Sequence, residues 1–428
     1  MITEKKQSQS AKTSPKMRAR EEKPQSGNGR VAIITGNEAA AHAARLCRVQ
    51  VVAAYPITPQ SAVVENLSQF IESGELKAEF VTVESEHSAL AVCIAASTVG
   101  ARVFTATSAN GLAYMCEQIH WAAGARLPIV MGCVNRAMAA PWNVLNDQQD
   151  SMSQRDAGWI QIHCRNNQEI FDTFVQAFKI AETVHVPVMV CYDGFLLSHT
   201  VMPVCLPRQE DVDRFLPPYT PHTILDPADP RNLNQVTLAD PRINSEGVLC
   251  HGYMELRYLH QEALVGAREA IVAVDREFEQ CFGRCWGGMI WGYRDEDADV
   301  CLVAAGSLTM EASTAVDMLR TEGIAAGVVG VRAYRPFPVE ELIAALKKAR
   351  VAVVFDKSVS YGYEGPICAD LKAALFQSEA TPAVFGCIAG LGGRDVKARQ
   401  LADAVRNALK QYDTGQRTAP PAWIDCRI

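Results

Sequence analysis

Short, continuous apolar runs rich in β-branched residues alternate with segments of helical periodicity along the first half of this 428-residue chain. The runs at 50–54, 79–83, 101–106, 128–134 and 186–192 hold few polar positions, as strands buried on both faces of a parallel sheet should. Between them, 112–123 after Gly111 and 169–183 after the Asn166-Asn167 turn place apolar residues at helical spacing. This order predicts a doubly wound α/β domain with a parallel sheet over 31–202. From Pro203 to about Ser245 prolines and aspartates accumulate, including Pro217-Pro218, Pro227, Pro230 and Pro241, so 203–298 reads as an extended connector. A second, smaller α/β unit follows over 299–415, with strands at 300–305, 326–331 and 351–355 and helices at 310–321 and 339–349. Residues 416–428 remain as a C-terminal tail. No repeat of solenoid period links the two units, so they are two separate sheets.

Composition changes the picture mainly at the ends. Residues 1–30 hold eight Lys or Arg against three Glu and almost nothing apolar, which predicts a disordered tail. A transit peptide fits it poorly because of the acidic Glu21-Glu22 pair. With the chain at −7 overall, the part beyond the tail carries −12, which argues against nucleic acid. No apolar run approaches the ~20 residues of a membrane span, and the N-terminus lacks a secretory core. A cytoplasmic protein is expected. The fourteen cysteines mostly stand singly in apolar runs, as Cys93, Cys133, Cys191, Cys301 and Cys387 do, and are expected as buried thiols. Only Cys281 and Cys285 lie close together, and the short spacings of an iron-sulfur site are missing. No metal site and no cluster is expected on this chain.

Two segments carry candidate chemistry. In Tyr55-Pro-Ile-Thr-Pro-Gln-Ser61, prolines 56 and 59 delay the next helix until Gln60 or Ser61 can cap it, leaving Thr58 on a stiff strand-to-helix loop. In Val83-Glu-Ser-Glu-His-Ser-Ala89, Glu84 and Glu86 follow a strand and precede an Ala-rich helix from about 88 to 97. Arg136 directly follows the apolar run 129–134. All three positions fall at carboxyl ends of strands, where open α/β sheets hold ligands.

These strings, together with Phe104-Thr-Ala-Thr-Ser108, Asn135-Arg136, Asp150-Ser-Met152, Arg155-Asp156, Gly158-Trp159, Asp193-Gly194-Phe195, Arg335-Pro-Phe-Pro338 and Gly390-Leu-Gly-Gly-Arg-Asp395, stand in one order along the chain. In that order the sequence resembles the α subunit of the 2-oxoacid:ferredoxin (or other acceptor) oxidoreductases, the pyruvate:ferredoxin oxidoreductase family, from about Val31 to about Val396. The resemblance implies a thiamine diphosphate pyrimidine-type domain followed by a transketolase C-terminal-like domain. It assigns to Glu86 the carboxyl that hydrogen-bonds the pyrimidine ring, with Pro56, Ile57 and Asn110 beside the cofactor and His87 a possible neighbour. To Thr58 and Arg136 it assigns the substrate, and a guanidinium fork suits a 2-oxoacid carboxylate. Where relatives often read Ser-Gln-Gly, this chain has Ala109-Asn-Gly111; the shorter Asn110 implies a substrate bulkier than pyruvate, phenylglyoxylate being one candidate.

The Gly-Asp-Gly motif that holds Mg2+ and the diphosphate is missing, and Tyr192-Asp-Gly194 lacks its first glycine. The resemblance therefore implies a β subunit that supplies this half of the site. It also implies γ and ferredoxin-like iron-sulfur subunits, CoA as co-substrate, and ferredoxin, or NAD through a flavin subunit, as acceptor. The loop 390–395 is expected to pack against a partner. Two other readings stay open: a non-catalytic assembly subunit, and half of a non-oxidative thiamine enzyme.

Overall fold

The computed structural model describes residues 29–221 and 237–428 except 246, 377, 379 and 380. Residues 1–28 of the expected tail, and Pro227 and Pro230 of the expected connector, lie outside the described residues. In chain order the first region runs β1 (Arg30–Ile34), α1 (Gly36–Leu46), β2 (Val51–Ala54), α2 (Ser61–Glu72), β3 (Glu79–Thr82), α3 (Glu86–Thr98), β4 (Val103–Thr107), α4 (Ala109–Tyr114), α5 (Cys116–Gly124), β5 (Val130–Asn135), α6 (Gln149–Ser153), β6 (Ile160–His163), α7 (Asn167–Val184), β7 (Val188–Asp193) and β8 (Met202–Leu206). Then come α8 (Gln209–Phe215), the short pair β9 (Arg242–Ile243) and β10 (Leu249–Cys250), and α9 (Tyr253–Phe282). The last region comprises β11 (Ile290–Tyr293), β12 (Val300–Ala305), α10 (Leu308–Thr321), β13 (Ala326–Val331), β14 (Ala333–Arg335), α11 (Val339–Leu346), β15 (Val351–Asp356), α12 (Pro366–Leu375), β16 (Ala383–Ile388), α13 (Ala398–Asp413) and β17 (Ala422–Trp423).

The first sheet has the order β14-β6-β7-β5-β4-β2-β3, parallel except for β14. Alternation along its strands explains the two helical layers. Val52, Phe104, Val130, Val134, Val188 and Val190 pack with α1 and α7, whereas Ala53, Val103, Met131, Cys133, Met189 and Cys191 pack with α3 and α5. Each fully buried phenylalanine of this core, such as Phe104 or Phe174, is worth roughly 1.5–3 kcal/mol relative to exposure. The second sheet has the order β11-β13-β12-β15-β16-β17, with β11 antiparallel, and is likewise covered on both faces. No helix among the described residues is long and apolar enough to cross a membrane.

Three expectations need correction. The connector over 203–298 is not extended: β8 pairs antiparallel with β1, and α9 is a 30-residue helix. Its buried positions His260, Ala267, Ile271, Val274 and Phe278 recur at helical spacing, and Gly283 ends it at φ +71°, a signal masked by the Pro-rich stretch upstream. The helix over 112–123 is two helices, α4 and α5, which meet at Met115. The C-terminal tail is not free of the fold, because β17 adds to the edge of β16.

The two sheets are tied together at their carboxyl ends. Asp193, the last residue of β7, accepts a hydrogen bond from Lys357 Nζ at 3.0 Å and another from the Ser307 hydroxyl. Both charged side chains are almost wholly buried. Burial would raise the Asp193 carboxyl, but Lys357 and Ser307 outweigh it and hold its pKa below the ordinary value. The loop 390–393 docks nearby: Asn143 Nδ2 donates to Gly392 O at 2.9 Å, Gly392 N to Asp147 Oδ2 at 3.1 Å, and Gly393 N to Asn146 O at 2.6 Å. The surface this loop covers therefore belongs to the chain's own first domain rather than to a partner. Lys357→Met leaves the Asp193 carboxylate buried without its cation, and is expected to cost about 3 kcal/mol, read as a fall in the thermal midpoint; an unchanged midpoint would contradict a tie of this strength.

Candidate active site

The loops after β2, β3, β4 and β5 gather at one edge of the first sheet, where the strand order reverses between β2 and β4. Ligands of open α/β sheets lie at such a reversal. The loop after β2 is held from three sides. Asn37 Nδ2 donates to Pro59 O at 2.7 Å, Gln60 Nε2 to Tyr55 O at 2.9 Å, and Arg136 Nη1 to Thr58 O at 2.6 Å. Asn37 is itself fixed by the Tyr192 hydroxyl at 3.0 Å. Pro56 and Thr58 are exposed and Ile57 is half-buried, so this loop faces outward from the sheet edge. Gln60 does not cap α2 with its side chain.

Glu86 opens α3 and is 8% exposed. The cap of that helix is Ser85, whose hydroxyl accepts from Ser88 N at 3.2 Å. The Glu86 carboxyl is thus not needed for capping, and it makes no hydrogen bond among the described residues. It lies instead against Gly111, where an added Cβ would stand 2.6 Å from Glu86 Oε1 and 2.7 Å from Thr107 Oγ1. Thr107 Oγ1 and Gln60 Oε1 are also buried without hydrogen-bond partners. The Glu86 carboxyl and the unpaired Thr107 hydroxyl beside a glycine form a cradle that suits a flat, polar ring. By contrast Glu84 is exposed and bonds Ser88. His87 turns to Gln118 at 3.1 Å and Glu117 at 3.4 Å, on α5.

Arg136 is 5% exposed at the end of β5. Beyond its bond to Thr58 O, its Nε is buried without a partner, leaving donors for a planar anion. Burial draws the guanidinium below its usual pKa, opposed by Asp150 and then Glu86, so the three charges share one neighbourhood. Asn110 Oδ1 accepts from Ala139 N at 3.0 Å and so holds the loop after Arg136. Trp142 on that loop is 79% exposed, with Val144 and Leu145 also exposed, and Met138 is half-buried.

Sequence reasoning missed Asp150, Gly111, Thr107 and Gln60. Asp150, wholly buried, accepts from Ala109 N at 2.9 Å, Arg136 N at 3.0 Å, Asn135 Nδ2 at 2.7 Å and Ser151 N at 2.8 Å. A buried aspartate shortly after an Asn-Arg pair was the available signal, but spacing alone does not say that α6 folds back beneath β4 and β5. Asp193, by its bonds to Lys357 and Ser307, is not placed to bind a metal. Among the described residues no group of three or more His, Cys, Asp or Glu is arranged to hold one. Cys93, Cys133, Cys191, Cys301 and Cys387 are buried and in no disulfide, while Cys281 is exposed and the Cys285 thiol donates a hydrogen bond to Asp275.

Residues 42–263 match the family profile described as pyruvate flavodoxin/ferredoxin oxidoreductase, thiamine diphosphate-binding, and residues 298–401 match pyruvate:ferredoxin oxidoreductase core domain II. The chain is 45% identical over 392 residues to the ketoisovalerate oxidoreductase subunit VorA of Pyrococcus horikoshii, covering 91% of this chain and 97% of that one. It is 44% identical over 376 residues to the pyruvate synthase subunit PorA of Methanothermobacter thermautotrophicus, covering 87% and 94%. In fold it is similar to the 2-oxoglutarate:ferredoxin oxidoreductase from Magnetococcus marinus, with TM-score 0.67, 19% identity, and coverage of 89% of this chain and 65% of that longer one. A split-gene transketolase gives TM-score 0.52 at 16% identity, covering 89% and 99%.

Gly111→Ala places a methyl group inside contact distance of Glu86 and Thr107. The expected cost is about 1–3 kcal/mol of stability, read as a lower thermal midpoint; an unchanged midpoint would mean that Glu86 moves aside freely.

Proposed function

The chain belongs to the pyruvate flavodoxin/ferredoxin oxidoreductase family, and on that footing we propose that it is the α subunit of a multi-subunit, CoA-acylating 2-oxoacid oxidoreductase. The observation that supports this most is the unpaired Glu86 carboxyl at Gly111, set beside an arginine whose donors are only partly used. Thiamine diphosphate, held at this sheet edge, would supply the nucleophilic carbon and the electron sink for decarboxylation. Glu86 would hold its pyrimidine ring by a hydrogen bond, with Gln60 and Thr107 as further polar contacts and Pro56, Ile57 and Asn110 around it. Low dielectric at a buried carboxyl strengthens such a bond.

Arg136 binds the substrate carboxylate through its free donors, and the Thr58 carbonyl keeps the guanidinium turned toward the loop after β2. The exposed Thr58 side chain is in place to orient the rest of the substrate. Decarboxylation releases carbon dioxide, two electrons leave to iron-sulfur groups on partner chains, and the acyl group passes to the CoA sulfur with loss of the thiol proton. A β subunit would bring Mg2+ and the diphosphate contacts. The exposed Trp142, Val144 and Leu145 around the site suit such a partner. The short Asn110 side chain favours a substrate side chain larger than that of pyruvate, branched or aromatic, with phenylglyoxylate as the aromatic case. Ferredoxin is the proposed acceptor, with NAD through a flavin subunit as the other route.

The test is dye reduction by the anaerobically purified complex, given a panel of 2-oxoacids with and without CoA. CoA-dependent reduction with a branched or aromatic acid preferred over pyruvate is expected. Carbon dioxide release without dye reduction would instead assign a non-oxidative enzyme. Glu86→Gln is expected to lower turnover by about 10²-fold or more, and Arg136→Lys to raise KM by about tenfold through loss of the planar fork. Turnover unchanged by both substitutions would make the chain an assembly subunit.

A further inference from the structure

Four N–H groups converge on the two oxygens of one buried carboxylate at the floor of the site. Asp150 Oδ2 accepts from Ala109 N and Arg136 N, and Oδ1 from Asn135 Nδ2 and Ser151 N. Ala109 is the first residue of α4 and has φ +45°, a left-handed conformation that costs an alanine roughly 1–2 kcal/mol unless its surroundings fix it. Two residues later comes Gly111, against Glu86. Arg136 carries the guanidinium on the other side. The carboxylate thus joins the ends of two neighbouring strands, β4 and β5, that bear the two halves of the site.

We propose that Asp150 is the positioning residue that sets Arg136 and the start of α4 in register with each other, so that substrate and cofactor ring are held at one fixed separation. This rests on the functional reading above. Asp150 touches neither substrate nor cofactor; it acts through two backbone amides. All four of its neighbours donate, so only a group with two accepting oxygens fits. In Asp150→Asn one oxygen becomes an NH2 group, which must face either the Ala109 and Arg136 amides or the Asn135 amide and Ser151 N–H. A donor set against donors forces one side of the site to move.

The ionisation of Asp150 gives a second handle. Burial raises its pKa from 3.8 to about 6, while Asn135, Arg136 N and Ala109 N work to lower it and Asp147 to raise it further. The titratable or charged groups facing it are Cys133 of β5, Asp147 of the loop before α6, and Arg136; α4 contributes none. Because the folded pKa is raised, the carboxylate is intact above about pH 6 and gains a proton as the pH falls through that value. A protonated oxygen becomes a donor, as in the Asn variant.

The test compares wild type, Asp150→Asn and Ser153→Ala in the assembled complex. Ser153 Oγ donates to the Asp150 backbone carbonyl at 2.7 Å, so its removal perturbs α6 but not the carboxylate. Asp150→Asn is expected to raise KM for the 2-oxoacid about tenfold, to lower kcat about tenfold as the fixed separation is lost, and to weaken thiamine diphosphate binding to the cofactor-stripped complex, titrated with Mg2+, by at least about threefold. Ser153→Ala should change none of these. A lower thermal midpoint in Asp150→Asn with wild-type KM and cofactor affinity would overturn the proposal, as would equal losses in both variants. If Asp150→Asn fails to assemble, the wild-type complex still decides: KM should rise as the pH falls through about 6, and a flat KM between pH 8 and 5 would overturn the proposal. If wild type oxidises no 2-oxoacid, the functional reading fails, while the cofactor titration still reports on Asp150.

Discussion

Asp193 and Lys357 are two charges with almost no access to water, each of which depends on the other for its solvation. Taking either from water costs several kcal/mol, so the pair persists only where both sheet ends are brought within hydrogen-bond range. That requirement fixes how the two sheets meet. With Lys357 at Asp193, the loop 390–393 comes against 143–147, and Gln148 N reaches Lys357 O at 2.8 Å. The segment between Arg136 and Asp150 is thereby held at its far end by the second domain and at its near end by the bond from Ala139 N to Asn110. A site carried by one sheet is braced by the other.

This bracing accounts for the unusual economy of the site itself. Parallel strands end in backbone groups without ladder partners, and buried groups of that kind need donors or acceptors from side chains. Asp150 meets the need at β4 and β5, Asn37 at the loop after β2, and Ser85 at the start of α3. At the same sheet edge Thr107 Oγ1, Gln60 Oε1, Asn135 Oδ1 and Arg136 Nε stay buried without partners, and the Glu86 carboxyl lies against Gly111.

Much of the fold was legible because buried parallel strands write themselves as unbroken apolar runs, and Val51–Ala54 and Val130–Asn135 are such runs. Glu86 and Arg136 were legible from the strings around them, and the structure places both at the same sheet edge. What could not be read was anything carried by long-range hydrogen bonds. Asp150 stands 41 residues from Ala109, and nothing in either neighbourhood announces the contact. Helix α9 was missed for another reason: its charged and apolar residues are mixed, with few positions fully buried, so its periodicity is faint beside the prolines that precede it. Nor does the sequence show that Asn110, expected beside the cofactor, accepts a hydrogen bond from Ala139 N.

Strand β14 completes the first sheet, although it is encoded after three strands of the second. Its pairing with β6, through Ala333 to Ile162 and Arg335 to Gln161, covers an edge that would otherwise offer free backbone groups to any passing strand. The two sheets are therefore not exchangeable cassettes. A gene cut between them, or a recombinant swap of one half for that of a relative, would leave the first half with an open border, and evolution can shuffle this pair only by moving β14 along with it.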